Sequence, residues 1–441
     1  MARIPTDEDR PDDPATEVVR IARDLIRMDT SNHGPGRAEG EAEATDYCRA
    51  LLEEAGLPCQ VFEAAKGRTN LVARWPGREP GLPALMVHGH LDVVPADPRD
   101  WSVDPFGAEI RDGMIWGRGA VDMKGTDAMI LASVREAVRR GEQPRRDIVL
   151  ALFADEESGC AYGSGWMVDE HPHLFEGVGN AVSEVGGYSV DIAGRRAYLL
   201  QTGEKGALWA RLTAEGTAGH GSQLHDDNAV VRLAEAVARI GRAAWPVTLT
   251  DTTDELLERV RLLAGLPAGT DPRRIAEAAG FGARFIRPSL QNVVNVTMFD
   301  GGYKANVVPE RASAVLDVRC LPGHHDAVLD RIRELAGPGV RLDVETDLPA
   351  LENPFDGDLV ARITETLRHH DPGAEVLPYL LPAGTDNKPL SRLGIRGFGF
   401  APLRLPADLD FPALFHGVDE RVPLDSLVFG REVMTDLLLT Y

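Results

Sequence analysis

The segment PALMVHGHLDVVP, residues 83–95, joins an apolar run to a polar turn. Its first half has the continuous apolar character of a strand that is buried on both faces of a sheet. His90 and Asp92 follow this strand directly, and Glu156 and Glu157 follow a second apolar run, DIVLALFA, in the same way. Because ligands bind outside the carboxyl ends of strands in open α/β sheets, we expect these four side chains to lie together.

The surrounding pattern alternates between helices and strands. Helices are expected near Thr16, from about Glu41 and over residues 126–140, and a further buried strand is expected at residues 70–74. Such alternation predicts an α/β fold, a mixed sheet flanked by helices. The polar, proline-rich residues 1–15 predict a frayed arm before the first helix.

The alternation of helices with buried strands changes near Gly203. The alternating segments GALWARLTAEG and SAVLDVRCLPG predict strands, and a helix is expected between them at residues 228–242. Together they predict a smaller α+β domain that is inserted into the first, and the earlier pattern returns after about Pro349. We therefore divide the chain into the first part of a large domain, an inserted smaller domain and the second part of the large domain: 1–202, 203–348 and 349–441. Residues 250–290 are helical and charged, and their contribution to the site is left open.

The composition restricts the classes of partner. The chain has 441 residues, 43% of them hydrophobic, which suffices for a large core and more than one domain. Its formal net charge of −22 argues against nucleic acid or an anionic membrane as a partner, since their phosphates would be repelled. An anionic substrate must therefore meet a local basic group.

The cysteines and the N-terminal sequence indicate in which cellular compartment the protein is expected. The four cysteines show no close C-x-x-C pair, so the sequence indicates neither a thiolate metal site nor a disulfide framework, and a reducing cytoplasm fits best. The N-terminus lacks a basic region followed by an apolar stretch, and no run of about 18 apolar residues occurs. We therefore expect neither export nor membrane insertion.

Five residues of metal-binding types occur in turn-rich segments with apolar flanks. In chain order they are His90, Asp122, Glu157, Glu184 and His416. Imidazole and carboxylate ligands without thiolate suit zinc, and one bridging carboxylate with one histidine and one carboxylate per ion makes a site for two cations. Cobalt or manganese remains an alternative. Glu156, beside a ligand, is expected to act as a base. Asp92 could accept the ring N–H of His90 and fix its tautomer.

Several motifs together resemble one family. HGHLDVVP, WSVDPFG, GRGAVDMKG, DEESG and the late GTD and FHG loops are similar to those of the aminoacylase, carboxypeptidase G and succinyl-diaminopimelate desuccinylase family of dinuclear zinc exopeptidases. The resemblance extends over nearly the whole chain. It implies a zinc-exopeptidase-type α/β domain interrupted by a lid domain that also forms a homodimer.

The resemblance also implies roles for the ligand set. His90 and Glu184 would hold one zinc ion, Glu157 and His416 the other, and Asp122 would bridge them. Glu156 would be the general acid and base, and Asp92 would support the first histidine.

In the lid, the resemblance implies residues that contact the substrate. His220 would cross the dimer to stabilise the oxyanion, Asn306 and Arg319 would hold a substrate carboxylate, and Gly384 and Thr385 would form a backbone cradle near that carboxylate. Taken alone, His220 is more simply explained as a polar loop histidine, with His225 nearby as an equal candidate, and Arg319 as an exposed strand charge.

These residues predict a metal-dependent hydrolase. It would cleave the amide bond of N-acyl amino acids or release the C-terminal residue of short peptides, because an arginine fork selects a free carboxylate. A dipeptidase or carbamoyl-type amidohydrolase of the same family is the alternative. A non-catalytic binding protein is the remote alternative, although such a protein would be expected to lack a ligand or the base.

Overall fold

The computed structural model describes residues 14–34 and 36–441. The arm predicted at residues 1–15 falls outside the described residues except for its last two positions, which belong to the first helix. No helix in the described ranges is long and apolar enough to cross a bilayer.

The strands of the described chain are, in order, β1 Cys59–Ala65, β2 Arg68–Trp75, β3 Ala84–His90, β4 Glu109–Arg111, β5 Met114–Trp116, β6 Ile148–Phe153, β7 Val178–Ser183, β8 Ser189–Ile192, β9 Arg195–Glu204, β10 Gly206–Glu215, β11 Gly219–His220, β12 Val293–Gly301, β13 Val307–Val308, β14 Arg311–Cys320, β15 Val340–Leu348, β16 Leu351–Glu352, β17 Glu375–Leu381, β18 Arg396–Gly399 and β19 Arg421–Pro423. The α-helices are α1 Pro14–Arg27, α2 Ala42–Ala55, α3 Lys124–Arg139, α4 Ser164–Glu170, α5 Ala229–Arg242, α6 Asp251–Leu263, α7 Pro272–Glu277, α8 Ala283–Ile286, α9 His325–Ala336, α10 Gly357–His370, α11 Asn387–Ser391 and α12 Leu424–Thr440.

A ten-stranded mixed sheet organises the larger part of the molecule. Its strand order is β1-β2-β6-β3-β7-β18-β9-β16, with β17 and β8 also paired to β9. The central strands β6, β3, β7 and β18 are parallel to their neighbours within this group. Their carboxyl ends therefore meet at one edge of the sheet.

Helices cover both faces of this sheet. In β3, Leu85 and Val87 belong to one buried apolar cluster, whereas Ala84 and Met86 belong to another. The first cluster is completed by α1, α3 and α12, which pack against one another. The second includes residues of α4 and α11. A strand that is apolar on both sides requires such a double cover, because side chains alternate between the faces. The predicted α/β class is confirmed.

A separate four-stranded antiparallel sheet, β12-β14-β10-β15, lies within the predicted lid segment. Helices α5 and α9 pack against this sheet and against each other over their own apolar cluster. The alternating pattern of GALWARLTAEG corresponds to β10, and the expected helix at 228–242 corresponds to α5.

Residues 251–290 fall within the predicted lid segment, but they pack against the large sheet. Helix α6 contacts β17 of the large sheet, and Leu256, Val260 and Ile286 belong to the large apolar cluster of that sheet. This segment therefore forms part of the packing under the large sheet. The boundaries of the three predicted segments remain predictions.

Candidate metal centre

Three neighbouring parallel strands deliver acidic and imidazole side chains to one edge of the large sheet. His90 is the last residue of β3, and Glu184 comes directly after β7. Glu156 and Glu157 lie in the short helical turn that follows β6. The structure thus brings together the side chains that the sequence placed at the carboxyl ends of strands.

Asp122 joins two histidines. Its Oδ1 lies 3.1 Å from Nε2 of His90, and its Oδ2 lies 3.2 Å from Nε2 of His416. Glu184 lies 3.5 Å from the same nitrogen of His90, and Glu157 lies 3.1 Å from that of His416. The five residues therefore form two groups that share Asp122, each with three possible metal-binding atoms within 4.8 Å of one another.

Burial differs sharply within this set. The side chain of His90 is fully buried, and those of Glu157 and Glu184 are 5% and 6% exposed. That of His416 is 54% exposed. His416 also has a left-handed backbone conformation, with φ of 56°, which is uncommon for a residue other than glycine. Within this set, His416 is therefore the residue most accessible to solvent.

The charges of the set require compensation. Burial raises the pKa of Glu184 to about 8, and hydrogen bonds with Asp122 and Glu157 raise the pKa of His416 to about 11. Burial, followed by the charge of Glu184, raises the pKa of Glu156 well above its usual value. Without cations, protons must balance this cluster of carboxylates.

The residues fit divalent cations. The buried Oε1 of Glu157 has no hydrogen-bond partner, as expected for an oxygen that faces a ligand position. Carboxylate oxygens and imidazole nitrogens without thiolate are a donor set that zinc and related metals accept.

Residues 86–440 match the peptidase family M20/M25/M40. The chain belongs to this family. The resemblance stated from the motifs is therefore confirmed, as is the prediction that the protein is a metal-dependent hydrolase of peptide or amide bonds.

Relatives of this peptidase match it over nearly their full length. Aminoacylase-1 of Sus scrofa is 27% identical over 431 residues, which cover 95% of this chain and 94% of that protein. An M20 family metallo-carboxypeptidase from Sulfolobus solfataricus superposes with a TM-score of 0.74 at 19% identity, covering 96% of this chain and 99% of that one. A dinuclear metal-binding M20 peptidase from Bacillus subtilis has a TM-score of 0.60 at 14% identity, covering 97% and 98%. These structures share the fold of the present peptidase.

In this M20 peptidase, Asp92 holds the turn that carries Glu156 and Glu157 in place. Its carboxylate accepts hydrogen bonds from the backbone N–H groups of Glu156 and Glu157, at 3.1 and 3.3 Å, and from the side chain of Asn32 at 2.9 Å. The ring Nδ1 of His90 lies 3.0 Å from the backbone oxygen of Asp92 and 3.5 Å from its carboxylate. The main-chain carbonyl of Asp92 is thus the nearer partner of that ring nitrogen.

Sequence reasoning missed Glu420. This fully buried carboxylate accepts hydrogen bonds from the backbone N–H groups of Val121 and Asp122, at 2.6 and 2.9 Å, and pairs with the guanidinium of Arg118 at 2.5 Å. It thereby ties the Asp122 turn to the loop that carries His416. Its place four residues after His416 is the one signal that could have indicated it.

Sequence reasoning also missed a buried network of polar and charged residues next to Glu156. Arg68 pairs with Glu41 at 2.8 Å and with Asp155 at 3.0 Å, and Asn32 donates a hydrogen bond to Asp155 at 3.0 Å. Asp155 directly precedes Glu156. No local pattern connects these residues, which come from four separate segments of the chain.

His88 of β3 is fully buried in the sheet. Its Nε2 lies 3.0 Å from the side-chain oxygen of Asn387. This contact links β3 to α11, which follows the Gly384–Thr385 turn.

The three residues that the sequence predicts to contact the substrate from the inserted domain have partners outside the five ligand-type residues. His220 is exposed, with its Nδ1 2.8 Å from the hydroxyl of Ser222, and Arg319 pairs with Asp317 of its own strand at 2.6 Å. The exposed Asn306 accepts a hydrogen bond from the N–H of Gly221 through its backbone oxygen. In the part of the chain that the structure describes, His220, Asn306 and Arg319 make no hydrogen bond or ion pair with the five ligand-type residues.

The Gly384–Thr385 turn lies at the junction of the two sheets. Thr385 is buried, and both its N–H and its hydroxyl donate hydrogen bonds to Glu204, at 3.1 and 2.6 Å. Gly384 lies against the stem of Lys388, whose ammonium donates to the backbone oxygens of Lys205 and Pro349. The N–H of Thr385 is thus already bonded within the protein.

Proposed function

We propose that this M20 peptidase hydrolyses the amide bond of N-acyl amino acids or releases the C-terminal residue of short peptides. The observation that carries the proposal is the position of Asp122 between His90 and His416, with Glu156 4.0 Å from Nε2 of His90. The name of the pig relative, aminoacylase-1, and that of the carboxypeptidase with the same fold support this substrate class.

The five ligand-type residues would hold two zinc ions, with cobalt or manganese as alternatives. His90 and Glu184 would bind one ion, Glu157 and His416 the second, and Asp122 would contact both. Bound zinc supplies Lewis acidity, which polarises the amide carbonyl and lowers the pKa of a nearby water.

Glu156 would transfer the proton from the attacking water to the leaving amine. Its side chain is 13% exposed and, unlike Glu157 and Glu184, belongs to neither of the two groups around Asp122. Burial raises its pKa, which suits a carboxylate that must take a proton from the attacking water and then deliver it to the leaving amine. Asp92 would keep this carboxylate in place through the backbone N–H of Glu156.

The substrate carboxylate would be bound from the lid. Arg319 and Asn306 would pair with it, and the Gly384–Thr385 turn would lie nearby. Because the guanidinium of Arg319 presently pairs with Asp317, binding requires it to exchange that partner for the substrate.

A homodimer would complete the site, with the partner subunit's His220 stabilising the oxyanion. The lid offers a surface for such an assembly. Strand β12 is at the edge of its sheet, and Met298 and Phe299 on it are 65% and 47% exposed. An unpaired edge with exposed apolar side chains favours pairing with another chain. The four cysteines, all among the described residues, are free, which supports the proposed cytoplasmic location.

The experiment is a substrate panel with the zinc-loaded protein. N-acyl amino acids, dipeptides with a free α-amino group, N-carbamoyl amino acids and the amidated form of each would be compared by kcat/KM. We expect N-acyl amino acids or blocked peptides with a free carboxylate to be cleaved best. Preference for free dipeptides would support the dipeptidase alternative, and preference for carbamoyl compounds the amidohydrolase alternative. Absence of turnover on every compound would support a binding protein.

A further inference from the structure

A groove of about 550 Å³ opens beside His416. Its apolar lining includes Pro95, Pro98, Trp101 and Val418. This volume is within the range of sites that bind small molecules. Because His416 is the exposed member of the ligand set, the groove is continuous with the place where substrate reaches the metal residues.

One wall of the groove is held by contacts within the protein, and the other wall is exposed to solvent. The guanidinium of Arg118 lies 5.2 Å from the centre of the Trp101 ring, and it donates a hydrogen bond to the backbone oxygen of Gly417 at 3.1 Å. Asp419 accepts a hydrogen bond from the N–H of Ser102 at 2.8 Å, which fixes the two loops to each other. The side chain of Val418, by contrast, is 49% exposed and free to contact a ligand.

The charge of the groove disfavours anions. Its lining holds the carboxylates Asp97 and Asp100, the guanidinium of Arg118 and the imidazoles of His33 and His416. Asp97 pairs with Arg99 and Arg118 pairs with Glu420, each at 2.5 Å, so these charges are already compensated, and Asp100 is the lining carboxylate that would repel an acidic ligand group. A ligand group in this groove would therefore be apolar and uncharged.

The order of strands gives the direction in which a substrate would lie. Glu157, the partner of His416, follows β6, whereas Glu184 follows β7 on the other side of β3. Thr385 follows β17, which pairs with β9 beyond β7. The groove beside His416 and the Gly384–Thr385 turn therefore lie on opposite sides of Asp122.

We propose that this groove, which we call the acyl groove, binds the acyl part of the substrate and selects neutral, apolar acyl chains over acidic ones. The proposal rests on the proposed function, since a carboxylate held near Thr385 and an amide at Asp122 direct the acyl group toward Val418. The groove then determines the acyl preference, while the lid recognises the amino acid.

The test uses N-acetyl-, N-butyryl-, N-hexanoyl- and N-succinyl-L-alanine with the zinc-loaded protein. Each added methylene buried in the groove is expected to raise kcat/KM about two- to threefold, so hexanoyl should exceed acetyl by at least about tenfold. Succinyl, in which a carboxylate replaces the terminal methyl group of butyryl, should be at least about tenfold poorer than butyryl. The dissociation constants of the same compounds for Glu156→Gln, measured by calorimetry, should follow the same order.

Val418→Asp should lower the ratio of kcat/KM for the hexanoyl substrate to that for the acetyl substrate to about two or less. Val418→Thr, which keeps the shape but replaces a methyl group by a hydroxyl, should lower this ratio partly. Leu262→Asp is the matched control, because Leu262 is 62% exposed on α6 and is not part of the groove lining. It should leave the ratio unchanged. Metal content and Tm, measured for each variant, separate loss of selectivity from loss of fold.

The outcomes distinguish the two proposals. Turnover without dependence on chain length, a preference for succinyl, or an unchanged ratio in folded Val418→Asp would overturn the acyl groove and leave the proposed function standing. Chain-length-dependent binding to Glu156→Gln without turnover by the wild type would support the groove and overturn the proposed function. Absence of both binding and turnover would overturn both.

Discussion

The Oδ2 atom of Asp122 lies 3.2 Å from Nε2 of His416. Asp122 lies two residues before the buried helix α3, whereas His416 lies in the loop that precedes β19. One carboxylate thus connects a buried histidine to an exposed one.

Asp122→Ala should remove both metal ions, because this side chain is common to both groups of ligands. Glu157→Gln is the matched comparison. Glu157 belongs to one of the two groups of ligands, so its loss should mainly remove one equivalent of metal. Metal content after dialysis, measured by mass spectrometry, checks both expectations. Two full equivalents in Asp122→Ala would contradict the bridging role.

Glu156→Gln should retain nearly full metal content but lose about 10²- to 10⁴-fold in kcat, since an amide cannot accept and return a proton. Metal analysis and steady-state kinetics on the same preparation test this expectation. Loss of both metal ions in this variant would instead assign Glu156 to metal binding.

Arg319→Ala should lower kcat/KM by about one to two orders of magnitude on substrates with a free carboxylate, because a charge-assisted pair contributes roughly 1.5–3 kcal/mol. Arg319→Lys, which keeps the charge without the fork, should recover activity only in part. Amidated substrates should already be poor with the wild type. Equal cleavage of amidated and free substrates by the wild type would argue against this carboxylate clamp.

The metal-free protein should become less stable as the pH rises from about 5 to 8. The pKa of Glu184 is raised from 4.5 to about 8 and that of His416 from 6.5 to about 11. Across this window the folded chain therefore binds more protons than the unfolded chain, and its free energy of unfolding falls with increasing pH. Urea unfolding of the chelated protein at several pH values measures the slope. Glu184→Gln should have a shallower slope, and equal slopes for the two proteins would be evidence against this origin.

Mixed dimers test the partner subunit's His220. His220→Ala and Glu156→Gln are combined under conditions that allow subunit exchange. A mixed dimer then has one site with both groups intact and one with neither, so a random equal mixture should reach up to about a quarter of wild-type activity. No recovery, with exchange verified by mass measurement, would place His220 in the site of its own subunit or outside catalysis.

Much of the fold follows from local patterns in the sequence. Continuous apolar runs predicted β2, β3 and β6, and the apolar first half of residues 83–95 corresponds to β3, which extends to His90. The central strand β7 was not predicted. Strand β1 was not predicted, because Cys59–Ala65 is only partly buried and has no continuous apolar run. The packing of residues 251–290 on the large sheet depends on contacts with distant residues such as those of β17, which amphipathic patterning cannot specify.

The ligand-type residues could be found in the sequence because each lies in a motif at the end of a strand or in a turn. Asn32, Arg68 and Glu420 could not, because each is a single polar residue whose role depends on partners far away in the chain. The structure also gives Thr385 a partner, Glu204, that the motif around it does not suggest.

Glu420 has a consequence for the order of events during synthesis. The turn that carries Asp122 is held by a carboxylate which leaves the ribosome some 300 residues later. Until then Arg118 and the N–H groups around Asp122 lack their partner, and His416 is equally late. The central sheet can therefore assemble on the growing chain while its hydrolytic centre stays incomplete, so that the nascent protein is inactive toward amide bonds until the segment that carries His416 and Glu420 docks.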